Sequence, residues 1–494
     1  MTTSYILSIV RSGLGVMTSR VFGLIRDIAV AWVYGATGLT DIFFMAFAIP
    51  NLFRQFFAEG AIASAYIPFL SDKTIRHGNE HANSYLTQLI VIQVLLILTV
   101  SLILIIFAPY VMMLFMPGRA HNPDAIAMGA ILLRLLTPYL FFVSISGLLA
   151  GFLNLRGSYF IAYASTSCLN IMMIIGAVAG YYHGGNIYLL ALSVFIGGIF
   201  QSVTVFTYSW HKKFRFGALT PMDPDIKRTY QLLVPSLAGV GISQLNFLIG
   251  RALASLLQAG SISWLYYSNR IFQLPLGIFS VTISTVSLTE LSKARTNGDT
   301  PLVNKLIDKA VIGLIFAILP ATVGLIGLSQ EIIRLVYGRL AFNTADVANT
   351  AAALQMYAAG LLFYSFASVF TKIYHSEKDT KTPVKYAFIT FLVNFVLCVI
   401  LMKPLGHAGI ALASSVAAAV NSAMLYNGIR GYRFKLRAHI SLLLKILIAV
   451  YIMTGVMVAG KIAGIPALVI ISACIAVYFI VLHATKVSIR EIFR

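Results

Sequence analysis

Six arginines stand well inside apolar helical runs of this chain: Arg20, Arg26, Arg54, Arg134, Arg251 and Arg270. An arginine at the centre of a bilayer costs roughly 2.5 to 3.5 kcal/mol on insertion scales, so a cation kept there needs a partner or a task. The acids in the same setting are Asp27, Asp41, Glu59 and Glu290, too few to neutralise every arginine. A guanidinium is a planar fork that takes two phosphate oxygens through parallel hydrogen bonds. Cations left short of counter-charge beside water therefore suit a doubly charged anion, and a phosphate-bearing ligand is expected. The structural alternative is that each arginine is paired, or snorkels from a helix end. It is preferred for Arg134, and for Arg251, which lies near an outer end. Arg20, Arg26, Arg54 and Arg270 are the expected substrate-binding residues, because they fall in the first two helices of each of two presumed lobes. Arg20 and Asp27 lie on nearly one helix face, so an ion pair is open to them if the helix stays regular, and Gly23 between them works against regularity.

Other chemistry is sparse. There is no P-loop, no G-x-S-x-G, no H-E-x-x-H and no carboxylate pair in a loop, so no catalytic residue and no metal site are expected. A proton-coupled drug exporter calls for acids buried near the midplane, the reverse of this balance. Asn51, Asn154, Asn170, Asn246, Asn394 and Asn421 are read first as interhelical glue. Cys168, Cys398 and Cys474 each stand alone in an apolar run and are read as packing residues.

The elements that must hold these residues are membrane helices. Of 494 residues, 59% are hydrophobic and 11% charged, with a mean hydropathy of +0.88. Runs of about 20 apolar residues, long enough for a hydrocarbon core of roughly 30 Å, recur from end to end. They divide into fourteen candidate helices: 9–34, 42–70, 84–108, 126–153, 160–182, 187–208, 229–255, 262–290, 304–326, 349–374, 383–403, 407–429, 440–460 and 464–485. The net charge of +20 does not imply nucleic acid, because its distribution follows the positive-inside rule. Lys212, Lys213, Arg215, Lys227, Arg228, Arg430, Arg433, Lys435 and Arg437 lie in loops on one side, whereas the opposite loops hold Arg119, Arg334, Arg339, Lys403 and Lys461. Both termini are therefore expected in the cytoplasm. The first helix lacks signal-peptide features and is expected to stay uncleaved.

The polar stretch HKKFRFGALTPMDPDIKR, 211–228, reads as a cytoplasmic linker. It divides an N-terminal lobe, 1–210, from a C-terminal lobe, 229–438, with two extra helices and a basic tail at 439–494. Lobes of six helices each enter from the same side and are expected to be parallel repeats. "GLTDIFFMAFAIPNLF" and "GSISWLYYSNRIFQLPLGIF" support the repeat faintly, each turning aromatic and then reaching a proline, Pro50 or Pro275, expected to kink its helix. Gly147 with Gly151, and Gly460 with Gly464, have the spacing of close helix contacts. The outer segment 331–347 reads as interfacial or gate-like.

Taken together, "SRVFGLIRD", "TDIFFMAFAIPNLFRQFFAEGA", "SISWLYYSNRIFQLPLGIFSV", "KDTKTPVKYA" and "GHAGIALASS" resemble the MurJ (MviN) lipid II flippases, of the multidrug, oligosaccharidyl-lipid and polysaccharide exporter superfamily. The resemblance implies two six-helix lobes around a central cavity that opens alternately inward and outward, and a groove for a polyprenyl tail on helices 13 and 14. It implies a transporter, not an enzyme, in the bacterial inner membrane. Its substrate would be lipid II, the undecaprenyl diphosphate-linked disaccharide pentapeptide used in peptidoglycan, cell-wall and cell-shape formation. The family's functional arginines carry over onto Arg20, Arg26, Arg54 and Arg270, with Asp41 and Glu59 as further motif positions; Asp27 and Asn51 complete the supporting or gate residues.

Two departures are specific to this chain. "SLTELSK" places Thr289 where relatives carry a proline and adds Glu290, and the seventh helix offers Gln244 and Asn246 in place of a sodium-binding carboxylate. No cofactor is expected, sodium coupling is not expected, and the membrane potential is the expected driving force. Membrane lipids and cell-wall synthesis proteins are the other expected partners of a monomer. The alternatives are a flippase for another polyprenyl diphosphate glycan, and a non-transporting cell-wall scaffold.

Overall fold

The computed structural model describes residues 3–57, 60–429 and 431–487. Among the described residues every regular element is a helix and no strand occurs. A bilayer core offers no water to exposed backbone groups, and a helix satisfies its own. The first helix is α1 (Thr3–Tyr34), the second expected helix corresponds to α2 (Gly38–Phe57) with α3 (Gly60–Arg76), and the third to α4 (Gly78–Ile106).

Among the described residues nine helices are long and apolar enough to cross a membrane, or ten when Thr344–Ala359 and Leu361–Ser376, bent by 43°, are taken as one span. Lys381–Gly428 has 48 residues and is interrupted at Gly406 (φ 57°, ψ −136°), so it contains both 383–403 and 407–429. Fourteen crossings are compatible with these elements. Pro275 ends the helix Ser261–Pro275 and is followed by a π-helical turn, Leu276–Ser280. Such a turn takes up the backbone mismatch that a proline creates. Beyond it Val281–Thr296 is unbroken, and Glu290 pairs with Lys293 at 3.0 Å on its exposed side. The Thr289–Glu290 departure thus introduces no break.

The chain forms two compact units. The first comprises Met1–Ser263 with Leu340–Phe342, the second Trp264–Arg339 with Asn343–Arg494. The helix Asp225–Ala254, placed in the C-terminal lobe by topology, packs within the first unit. The core of that unit gathers Tyr66, Tyr85, Phe152 and Phe214. A side chain at Gly151 would overlap the Tyr66 hydroxyl, which donates to Leu148 O. In the second unit Phe316, Ile446, Met453 and Tyr478 join the last two helices to Thr300–Gly327, and the Tyr478 hydroxyl donates to Phe316 O at 2.7 Å. Gly460 lets Ile470 approach closely. The three cysteines are free thiols.

The segment 211–228 is docked along its length on α4. Asn83, Ser84, Thr87 and Gln88 share one face of that helix. The Asn83 amide donates to Lys213 O at 3.3 Å and the Gln88 amide to Ala218 O and Pro221 O at 3.2 and 3.1 Å. In return Gly217, Ala218 and Asp223 N–H donate to Thr87 Oγ1, Ser84 Oγ and Gln88 Oε1 at 3.0, 2.9 and 2.8 Å. Phe214 is fully buried in the core, and a Cβ on Gly217 would collide with the Ser84 backbone. Lys73 Nζ, past the apolar part of α3, reaches Asp223 at 2.7 Å and Asp225 at 2.9 Å.

Candidate functional site

In α1 the basic residues separate. Arg20 is exposed, with no ion pair among the described residues. Arg26 is only 6% exposed and Asp27 only 2%. Nε and Nη2 of Arg26 donate to Asp27 Oδ1 at 3.0 and 2.7 Å, and Nη1 donates to Asn170 Oδ1 at 2.9 Å. The Asn170 amide in turn donates to Ser19 O at 3.2 Å, and the Ser19 and Thr166 hydroxyls bond to one another. Gly23 leaves room for Asn170 on this face. Seven-residue spacing left an Arg20–Asp27 pair open if the helix stayed regular; in the structure Asp27 pairs with Arg26 instead. Adjacent side chains diverge around a helix, yet an arginine stem is long enough to fold back on its neighbour, and burial against Thr166–Tyr182 favours that closure.

In α2, Arg54 occupies the last turn and its Nε donates to Asn51 Oδ1 at 2.9 Å. Pro50, one residue earlier, lies inside the helix. Glu59 lies outside the described residues. Asp41, at the opposite end of α2, is buried at 3% exposure. Its Oδ2 accepts from Gly260 N–H at 2.7 Å, and Oδ1 accepts from Ser263 N–H at 2.8 Å and the Ser263 hydroxyl at 2.7 Å. The first-turn N–H groups of Ser261–Pro275 thus meet a carboxylate, the charge a helix N-terminus favours.

In the second unit Arg270 is partly buried. Its Nη2 donates to the Tyr266 hydroxyl at 3.0 Å, and its Cζ lies 5.1 Å from that ring. Tyr266 is one helical turn earlier, so the ring holds the guanidinium along the helix through a cation–π contact. Higher on the same helix the Trp264 indole donates to buried Asp346 at 3.0 Å and packs against His407, with ring centroids 4.8 Å apart. Arg134 is exposed and donates to Ile105 O at 3.1 Å, a structural tie.

Sequence reasoning read Asn170 as interhelical glue, and it joins α1 to Thr166–Tyr182 as a partner of Arg26. That reasoning passed over Gly260 and Ser263, the partners of Asp41, and over Gln93 of α4. Gln93 alone carried a visible signal, a single amide in the run LIVIQVLLILTV.

Long apolar helices, one of which buries Arg26 against Asp27 and Asn170, define a polytopic membrane protein. Its fold is like that of a multidrug resistance MATE family transporter of the MOP superfamily in its inward-facing conformation, with a TM-score of 0.68 at 14% identity over 89% of this chain and 99% of that one. Residues 30–480 match the family model described as lipid II flippase MurJ, and the chain belongs to the MurJ family. The probable lipid II flippase MurJ of Rickettsia prowazekii is 34% identical over 413 residues, 83% of this chain and 80% of that relative. That of Vibrio cholerae is 32% identical over 457 residues, 89% and 86% of the two chains. A solved structure of lipid II flippase MurJ in an inward closed conformation has a TM-score of 0.83 at 27% identity, covering 98% of this chain and 99% of that one.

Proposed function

We infer that this protein carries lipid II from the inner to the outer leaflet of the cytoplasmic membrane by alternating access. Arg20, Arg26, Arg54 and Arg270 are the cations that meet the diphosphate during transport, and Asp27, Asp41 and Asn51 hold or release them and their helices. The observation that carries the reading is Arg26: in a chain of this family, a guanidinium in an apolar helix is buried with a carboxylate and an amide that a diphosphate has the chemistry to replace. Helices 1–6 and 7–12 act as the two repeats, joined at 211–228. Both termini face the cytoplasm, supported by the basic residues of the alternate loops. A potential of about 100 mV, negative inside, supplies about 2.3 kcal/mol per charge carried outward, and it is the driving force in this reading in place of ATP or sodium.

The test is transport in proteoliposomes loaded with lipid II, scored by a membrane-impermeant enzyme that cleaves exposed headgroups. Arg20→Ala, Arg26→Ala and Arg270→Ala are expected to insert normally and to lose headgroup exposure. Wild-type rates in all three would overturn the diphosphate reading and favour a scaffold. Collapse of the potential without change in rate would overturn the driving force.

A further inference from the structure

Gln93 is the fully buried amide of α4. Its Nε2 donates to Phe57 O at 3.2 Å, and its Oε1 has no hydrogen-bond partner among the described residues. An amide placed in so apolar a helix carries a desolvation cost that one bond repays only in part. The position of that bond indicates what it does. Phe57 is the last described residue of α2, one turn beyond Arg54. Pro50 lacks an N–H and so removes a backbone bond just before the segment 51–57. That segment carries Asn51 and Arg54, and the Gln93 amide ties it to α4 at Phe57. Gln88, one and a half turns earlier in α4, holds the 211–228 segment, so the same helix anchors both features.

We propose that Gln93 is a positioning residue for Arg54: by holding the Phe57 carbonyl it fixes the helical turn that carries Arg54 and so the direction in which the Arg54 guanidinium is presented to a diphosphate. The proposal rests on the reading of Arg54 as a diphosphate contact. Gln93→Leu removes the donor at similar volume, Gln93→Met does so with an unbranched chain should the leucine variant fail to accumulate, and Gln93→His restores an N–H donor.

Purified full-length protein in detergent is titrated with undecaprenyl diphosphate, with the thermal midpoint of each variant recorded alongside. Gln93→Leu is expected to bind about 3- to 10-fold more weakly, the range of one neutral hydrogen bond, and Gln93→His to recover most of that loss. In an Arg54→Ala background Gln93→Leu is expected to add nothing, because its effect passes through Arg54. Unchanged binding by Gln93→Leu while Arg54→Ala binds weakly would overturn the proposal, as would a Gln93→Leu loss that persists undiminished beside Arg54→Ala. Wild-type affinity in Arg54→Ala alone would refute the reading of Arg54 as a diphosphate contact and this proposal with it, an outcome the single variant reports separately.

Discussion

Replacing Asp27 with asparagine removes the carboxylate from a cation that the fold has buried. Nε and Nη2 of Arg26 both donate to Asp27 Oδ1, at 3.0 and 2.7 Å. Two unit charges about 4 Å apart attract by about 4 kcal/mol at an effective dielectric near 20. Removing one member of a buried pair costs about 3 to 5 kcal/mol, because the other charge is stranded. The asparagine variant keeps an oxygen toward Nε, and Asn170 keeps its 2.9 Å bond to Nη1, so the expected loss lies near the lower end, about 3 kcal/mol. Removing both charges, Arg26→Met with Asp27→Leu, leaves none stranded and is expected to cost less than Asp27→Asn alone. The assay is denaturant unfolding of the full-length protein in detergent for wild type, Asp27→Asn, Arg26→Met and the double variant, with lipid II transport measured on the same preparations. Stability and transport should part company: the double variant regains most of the stability and none of the transport. Wild-type stability in Asp27→Asn, or transport restored in the double variant, would refute the argument.

Asp41→Asn is expected to lower stability by about 2 kcal/mol or more, since a hydrogen bond to a charged acceptor contributes about 1.5 to 3 kcal/mol and Asp41 receives from both Gly260 and Ser263. Ser263→Ala, which removes only the hydroxyl, should cost less, and unfolding midpoints check both. At the docked segment, the hydrogen bond from Lys73 outweighs desolvation and holds the Asp225 carboxyl below its ordinary 3.8. Burial works against charge on Lys73, yet its bonds to Asp223 and Asp225 raise it above 10.5. The sign follows: the Asp225 contribution is present above pH 3.8 and is lost as pH falls through the depressed value. The Lys73 contribution is full below pH 10.5 and is lost as pH rises through the raised one. Protection factors at Gly217 and Ala218, with the intrinsic pH dependence of amide exchange divided out, should therefore be highest between these limits, and Lys73→Met should lower them at pH 7. Gly151→Val should lower the unfolding midpoint by overlap with the Tyr66 hydroxyl, with Tyr66→Phe recovering part of the loss.

The helical architecture was legible because apolar length is written locally. About twenty residues of hydropathy identify a span without reference to anything distant. That Arg26 and Arg54 stand inside helices was legible from residue type and hydropathy. Some partners in the site were not, because they come from afar: Asn170 is 144 residues from Arg26, and Ser263 is 222 from Asp41. Helical spacing offered Arg20 to Asp27, and a closer competitor, Arg26, won because burial acts on side-chain reach as well as on angle. The docking of 211–228 left no sequence signal either. Asn83, Ser84, Thr87 and Gln88 bond there to backbone atoms, and a backbone recognised through its carbonyls and N–H groups can be of almost any sequence, save at Gly217, where only the missing Cβ fits.

For anyone attaching a reporter to this protein, the stretch with the most charge and two prolines is a misleading invitation. Phe214 is plugged into the interior and Gly217 is pressed against the Ser84 backbone, so a tag spliced into that stretch would prise out a buried ring before it hung free. The turn at Gly298, where a Cβ would meet open space, gives a label somewhere to go without disturbing what it is meant to watch.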